Sequence, residues 1–400
     1  MAPTRSHSGH GGSYIIVGAG IFGASAALQL ISENPSATVT LIDRTPFLVI
    51  RADYTKLIDM ELALEALELW RSDPMYNAFY HESGLIWLDN AGVPQTIIKN
   101  YKTLKACAKY SLIDIEEARI NWDGIHSDAN YDTVLNILWN ESGGWAEASN
   151  ALKFVIETAV EKGVKYVEAN IESVVFDKDG STTGVQTAEG PILNSAPLRK
   201  EIHVGDRIKA AAIFTGMATL SDDDAAYFRK GPVFIHDIGA SLGGSIPPNA
   251  ANQLKFWRDV SFMNTVHHEV SGENISMPPD QADYAQWEVT PGMKRELQAV
   301  CKGAFGDKAK NWDLHKFRIC WESKTLDGDQ VISGHPHSKG LYVVAGGSFH
   351  SWKFLPNIGK YVVQMLHGSL DPKLALRSWD RDSDTSEPDF MWPQREMKDV

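Results

Sequence analysis

Hydrophobic positions near the start of the chain fall into short, distinct blocks. "SYIIVGAGIFGASAALQLI" opens as an apolar run, breaks at glycines, and resumes as small and apolar residues suited to a packed helix. "ATVTLIDR" follows as a second apolar run closed by an acid. The pattern predicts strand, tight turn, helix, strand. Further on, "MELALEALELWRSD" carries apolar residues at helical spacing and predicts an amphipathic helix. "FYHESGLIWLD" reads as a strand leading into a second domain.

"GGWAEASNALKFVIETAVEKGVKYVEANIESVVFD" predicts a long helix ended by Gly163, then two strands, which returns the chain to its first layer. Between Ser221 and Trp321 aromatics and prolines are more frequent, with strand-like pieces "GPVFIHDI" and "NQLKFW". "GLYVVAGGSFHSWKFLPNIGKYVVQML" predicts a strand, a glycine turn with a polar cluster, and a helix beginning near Ile358. The tail from Ser378 is polar and acidic, and is expected to lie on the surface or move. The expected architecture is a discontinuous α/β nucleotide-binding unit over residues 12–72, 145–216 and 325–372. A β-rich antiparallel-sheet substrate unit over 73–144 and 217–324 and a tail over 373–400 complete it.

Within the first block, Gly18, Gly20 and Gly23 have the G-x-G-x-x-G spacing between a strand and a helix. The first glycine makes the turn, the second lets backbone approach a pyrophosphate, and the third allows close helix–strand packing. The helix N-terminus, at Ile21 and Phe22, then turns its free N–H groups toward phosphate. Asp43 ends the second strand about twenty residues on, where an acid suits ribose hydroxyls. These features together indicate a dinucleotide, without separating NAD from FAD.

Composition removes several classes. The chain has 400 residues, enough for two cores, and a formal net charge of -13, which argues against a nucleic-acid or anionic-membrane partner. No stretch approaches the about 20 apolar residues of a membrane span. The three cysteines, Cys107, Cys301 and Cys320, are scattered and suit a reducing compartment. Cytoplasm is the expected location, with the peroxisome as the alternative although the C-terminus lacks a peroxisomal tripeptide. His335 and His337 flank a proline without a carboxylate cluster, so they read as a turn and no metal site is expected.

"VGAGIFGASAALQL" with Asp43, "IRADY", "GGWAEA", "NQLKF", "RICWESKTLDGDQVISGHP" and "GGSFHSWKFLPNIGKY" recur in this order in one family. Through them the chain resembles the covalent flavoprotein branch of the D-amino-acid-oxidase-like group. That branch contains sarcosine, pipecolate and saccharopine oxidases and the amadoriases, or fructosyl amino-acid oxidases. The resemblance is nearest on the amadoriase, pipecolate and saccharopine oxidase side, and it covers most of the chain.

The resemblance implies FAD, attached covalently through a thioether to Cys320. It implies oxidation of the C–N bond of an N-substituted amino acid to an imine, with dioxygen as acceptor and hydrogen peroxide released, by a monomer acting on a small amino-acid-like molecule. It places Arg44, Val174, Gly347, Ser348, Phe349 and Lys353 beside the cofactor, with the glycine-turn residues. It gives Arg51 and Lys353 the substrate carboxylate, Lys255 the activation of dioxygen, and His350 a place near the flavin ring. Taken alone, Cys320 is a small core hydrophobe. Trp352 and the aromatics of the substrate unit lean the reading toward a bulky substrate.

Two segments are short for the family, near 44–50 and 216–220, and both touch the cofactor in relatives. They keep open a catalytically impaired flavin-binding paralogue with an accessory role. An NAD-dependent dehydrogenase using the same glycine turn is the third reading.

Overall fold

The computed structural model describes residues 12–43, 52–187, 190–191, 204, 207–269, 272–279, 289–381 and 391–400. Ser13–Val17, Thr38–Ile42 and Lys165–Val167 form a parallel three-stranded sheet with Thr38–Ile42 in the middle. The helix Ile21–Glu33 packs against the helices Ala148–Glu161 and Ile358–Leu366. Their shared core includes Ala24, Ala27, Leu41, Ala151, Leu152 and Ile358. Small side chains on the first helix let its neighbours come close, as "GASAAL" predicts. Gly163 ends the middle helix with φ 112°, and Lys165–Val167 and Ile171–Phe176 follow it as expected.

A ten-stranded mixed sheet forms the second body. At its centre Ile208–Thr219 pairs with Leu314–Thr325 on one side and with Gln253–Arg258 on the other. Gly243–Ile246, Val233–His236 and Leu85–Asp89 continue outward. Strand pairing thus puts all of Ile208–Thr219 in this sheet, whereas the sequence reading assigns residues up to 216 to the nucleotide-binding unit. After Thr219 the chain passes through Ser221, whose hydroxyl caps the helix Asp222–Phe228. The short passage expected near 216–220 is therefore a continuous strand and a capped helix.

Alternation along these strands divides the sheet into two faces. Phe214, Leu254, Phe256 and Ile319 point to the helix Pro291–Phe305 and are buried in a core with Leu297 and Phe305. The intervening residues point the other way, and Ile213, Lys255 and Trp257 among them border a cavity of about 600 Å³. They lie in rows across the strands. Leu85, Val233, Ile246 and Lys255 make one row, and Trp87, Ile235, Gly244, Trp257, Thr215 and Arg318 the next. A third row carries Ile213 and Cys320, and on the same side Asp89, Asp237 and Asp259.

The C-terminal tail is anchored at a sheet edge. Residues 382–390 lie outside the described residues, but Arg395–Glu396 joins the sheet in parallel beside Phe262–Met263. The cause is charge: Arg395 Nη1 donates to Glu296 Oε1 at 2.8 Å, and the same carboxylate takes Arg258 at 3.2 Å. No described helix is long and apolar enough to cross a membrane.

Phe256 is fully buried on the helix-facing side of the floor. Phe256→Ala is expected to lower unfolding free energy by about 3–5 kcal/mol through lost burial and a residual cavity. Urea denaturation measures it; a loss below about 1 kcal/mol would contradict the packing described.

Candidate active site

The glycine turn has the geometry its spacing predicts. Gly18 has φ 97° and its N–H donates to Ile42 O at 2.7 Å, which ties the turn to the second strand. The Ala19 N–H donates to the Asp43 carboxylate, so the acid braces the turn from the strand end. At Gly23 a Cβ would lie 1.8 Å from Gly18 O, so only glycine lets the helix start so near the turn. At Gly18 and Gly20, by contrast, an added Cβ would meet nothing within 4 Å. The first helical turn carries neither a side-chain cap nor an acid, so its N–H groups face that open side. This cradle suits a pyrophosphate, and the residues present fit a dinucleotide.

Ile21 is buried and Phe22 packs half-buried against the same core. Val174 lies half-buried in Ile171–Phe176, a strand of the separate antiparallel sheet with Thr182–Thr187. Arg44 and Arg51 fall outside the described residues.

The second cluster is built by one strand gripping one loop. Ser348 and Phe349 both take left-handed backbone, with φ 52° and 63°, which costs a non-glycine residue energy. The end of Leu314–Thr325 holds them there. Glu322 Oε2 accepts the Phe349 N–H at 2.7 Å, Ser323 O accepts the Ser348 N–H at 3.0 Å, and Ser323 Oγ accepts the Gly346 N–H at 2.9 Å. A Cβ on Gly347 would fall 2.0 Å from Glu322 Oε1, so the glycine makes room for the carboxyl.

The loop then delivers His350 and Lys353 to the cavity, where Tyr54 meets them. Lys353 is 3 % exposed. Its Nζ donates to the Tyr54 hydroxyl at 2.8 Å and lies 4.7 Å from the centre of that ring. The Tyr54 oxygen is 2.8 Å from His350 Nδ1, and His350 Nε2 is 2.7 Å from Gly328 O. A carbonyl can only accept, so Nε2 carries the proton and Nδ1 accepts from Tyr54. Burial, with Lys353 beside it, holds the His350 pKa well below its ordinary value. The imidazole is therefore neutral at physiological pH.

Lys255 projects from the cavity floor and has no hydrogen-bond or ion-pair partner among the described residues. Burial lowers its pKa; the nearby Cys320 thiol opposes that shift and Arg318 adds to it. Cys320 pairs in register with Ile213, a residue of the cavity wall, and so faces the same side as Lys255. Lys255, His350, Lys353, Ser348 and Phe349 thus border one cavity, with Cys320 beside it.

Sequence reasoning passed over Tyr54 and Glu322. Tyr54 stands in "IRADY" with nothing to mark its contact with Lys353, 299 residues away. Glu322 did carry a signal: it stands two residues after Cys320 on a strand, and hence on the same face. Trp352 was expected at the substrate; it is buried in the core of the nucleotide-binding side instead. His335 and His337 sit in the turn expected of them, and no group of metal-ligating side chains occurs among the described residues.

Burial pushes the Glu322 carboxyl from 4.5 up to about 7, against the opposing pull of the Phe349 N–H, Lys324 and Lys353. Between those two values the folded protein keeps a proton that the unfolded chain releases, so this group makes stability fall as pH rises. Glu322→Gln removes the titration. Its stability relative to wild type is expected to rise between pH 4.5 and about 7 and then level off. Urea midpoints of both proteins across that window test it, and a pH-independent difference would refute it.

Comparison with known proteins shows the family and the fold. Residues 13–365 match the family model described as FAD dependent oxidoreductase. L-saccharopine oxidase of Schizosaccharomyces pombe is 26% identical, over 93% of this chain and 94% of its own. Monomeric sarcosine oxidase of a Bacillus species is 21% identical, over 92% and 95%. Among solved structures, a thermally stable mutant of fructosyl peptide oxidase superposes with a TM-score of 0.82 at 22% identity, over 96% of this chain and 97% of that one.

Proposed function

The chain belongs to the FAD-dependent oxidoreductase family, and on that premise we propose that it oxidises the C–N bond of an N-substituted amino acid to an imine. Dioxygen is the acceptor and hydrogen peroxide the reduced product. The observation that carries this reading is the one cavity bordered both by the hydrogen-bonded Lys353–Tyr54–His350 cluster, with Lys353 buried, and by Lys255. The dehydrogenase and accessory-protein readings gain no support from the family or from the site.

Gly18, Gly20, Gly23 and Asp43, with Ile21 and Phe22, would hold the dinucleotide end of FAD. Val174, Gly347, Ser348, Phe349 and Cys320 would hold the remainder, with Cys320 as the covalent anchor. When bound, FAD supplies the electron acceptor for the amine and the electron donor for dioxygen.

The chain's own residues supply position and charge. Lys353 presents a cation to the substrate carboxylate, and Arg51 is proposed as its partner in that role. Tyr54 keeps Lys353 aimed, because its oxygen accepts from Nζ while its proton goes to His350 Nδ1. A neutral His350 adds no second charge to compete for the carboxylate. Fixing the carboxylate orients the carbon that is oxidised, a proximity effect. Lys255 places a cation on the floor, where it stabilises negative charge developing on dioxygen. A peroxide-release screen over sarcosine, pipecolate, saccharopine, fructosyl-lysine and N-methylated amino acids tests the activity. A fully flavinylated enzyme silent toward all of them would reject it.

Cys320→Ser is expected to abolish covalent flavin and leave the fold largely intact. Mass spectrometry of the denatured wild type should find the adduct on the Cys320 peptide; an adduct on Cys107 or Cys301 would disprove the assignment.

Lys255→Met separates the two half-reactions. Anaerobic flavin reduction is expected within about tenfold of wild type, since the carboxylate is held elsewhere. Reoxidation is expected to fall by two to three orders of magnitude, because a charge at a developing anion contributes about 3–4 kcal/mol and about 1.4 kcal/mol is tenfold. Stopped-flow kinetics reads both, and normal reoxidation would remove Lys255 from the oxygen site.

A further inference from the structure

The floor of the cavity divides into parts of different chemistry. Lys353, Tyr54 and His350 make one polar border. The middle of the floor is an apolar shelf of Leu85, Trp87, Val233, Ile235 and Trp257, none of which has a role in the chemistry above.

Two contacts fix the indoles of this shelf. Trp257 Nε1 donates to Asp259 Oδ2 at 2.9 Å, and Trp87 Nε1 to Asp237 Oδ2 at 2.7 Å. Gly244, on the neighbouring strand, leaves the space that the Trp257 ring fills: a Cβ there would lie 2.4 Å from the ring. The indole therefore lies across the strand beside Ile235, so that part of the floor is flat and apolar. A polyol would leave its hydroxyls unmatched against such a surface, whereas an aromatic ring would be buried with its face covered.

We propose that the substrate is an N-substituted amino acid bearing an aromatic ring, seated on the Trp87–Trp257 shelf while its carboxylate is held at Lys353. The inference rests on the oxidase reading of the same site, and its test is kept separate from that reading.

Binding decides the shelf and turnover decides the activity. Calorimetric titration of the flavinylated enzyme with 3-phenylpropionate and propionate needs no reaction. Phenylpropionate is expected to bind about ten- to a hundredfold more tightly than propionate, the range for burying one aromatic side chain. Trp257→Ala should collapse the phenylpropionate preference, and Trp257→Phe, which retains a ring, should restore most of it. Equal wild-type affinities for phenylpropionate and propionate would overturn the shelf. Peroxide release from N-methylphenylalanine and sarcosine is then compared. Binding preference without oxidation of either amine would reject the oxidase reading and leave the shelf standing. Oxidation of sarcosine without any binding preference would do the reverse.

Discussion

The pairing of Leu314–Thr325 with Ile208–Thr219 sets the position of almost everything at the site. Its ten registered pairs hold the strand so that Ile319 enters the core while Cys320 faces the cavity side. The final residues of the same strand then grip the Gly346–Phe349 loop, through Glu322 and Ser323. The proposed flavin anchor and the proposed carboxylate clamp are therefore mechanically one unit. The left-handed backbone at Ser348 and Phe349 costs energy, and the hydrogen bonds from the strand offset it. A one-residue slip would turn Cys320 toward the core and Ile319 toward the cavity, so the core itself enforces the register of the chemistry.

Charge is arranged around that unit by the same logic. A buried lysine is expensive unless something compensates it. Lys353 is compensated by the Tyr54 oxygen and the face of its ring. Nearby, Asp59 and Arg377 make an ion pair with both side chains 3 % exposed, tying the helix Leu57–Ser72 to the segment after Ile358–Leu366. Breaking such a pair leaves an uncompensated charge, which makes the packing of these segments around the cavity specific. His350 is kept neutral and Glu322 is drawn toward neutrality, so the cavity border holds fewer full charges than its residue types suggest.

What the sequence revealed follows a physical division. The strand–glycine–helix–strand unit was legible because its determinants lie within thirty residues of one another: Gly23 packs on Gly18, and Asp43 accepts from Ala19 between them. The strands at Leu85–Asp89, Val233–His236 and Gln253–Arg258 were legible from composition. The Tyr54 contact with Lys353 was not, because nothing local to either residue records a partner 299 positions away. What anchors the tail was not legible for a related reason: Arg395 answers to Glu296, 99 residues earlier. Cys320 is the instructive intermediate. Its own neighbourhood is that of a core hydrophobe, and only strand pairing sets it on the face that Lys255 shares.

That two-faced sheet also explains how one scaffold can serve different amines. Residues facing the Pro291–Phe305 helix are packed on all sides, so changes there act on stability. Residues facing the cavity border open volume, where a change of shape alters what fits before it alters the fold. Within that face, Lys255 and Cys320 lie in rows on opposite sides of the Trp87–Ile235–Trp257 row. Substitution of the indole row can then change the substrate while both flanking residues keep their places. The strand register, held by the opposite face, is what makes the two independent.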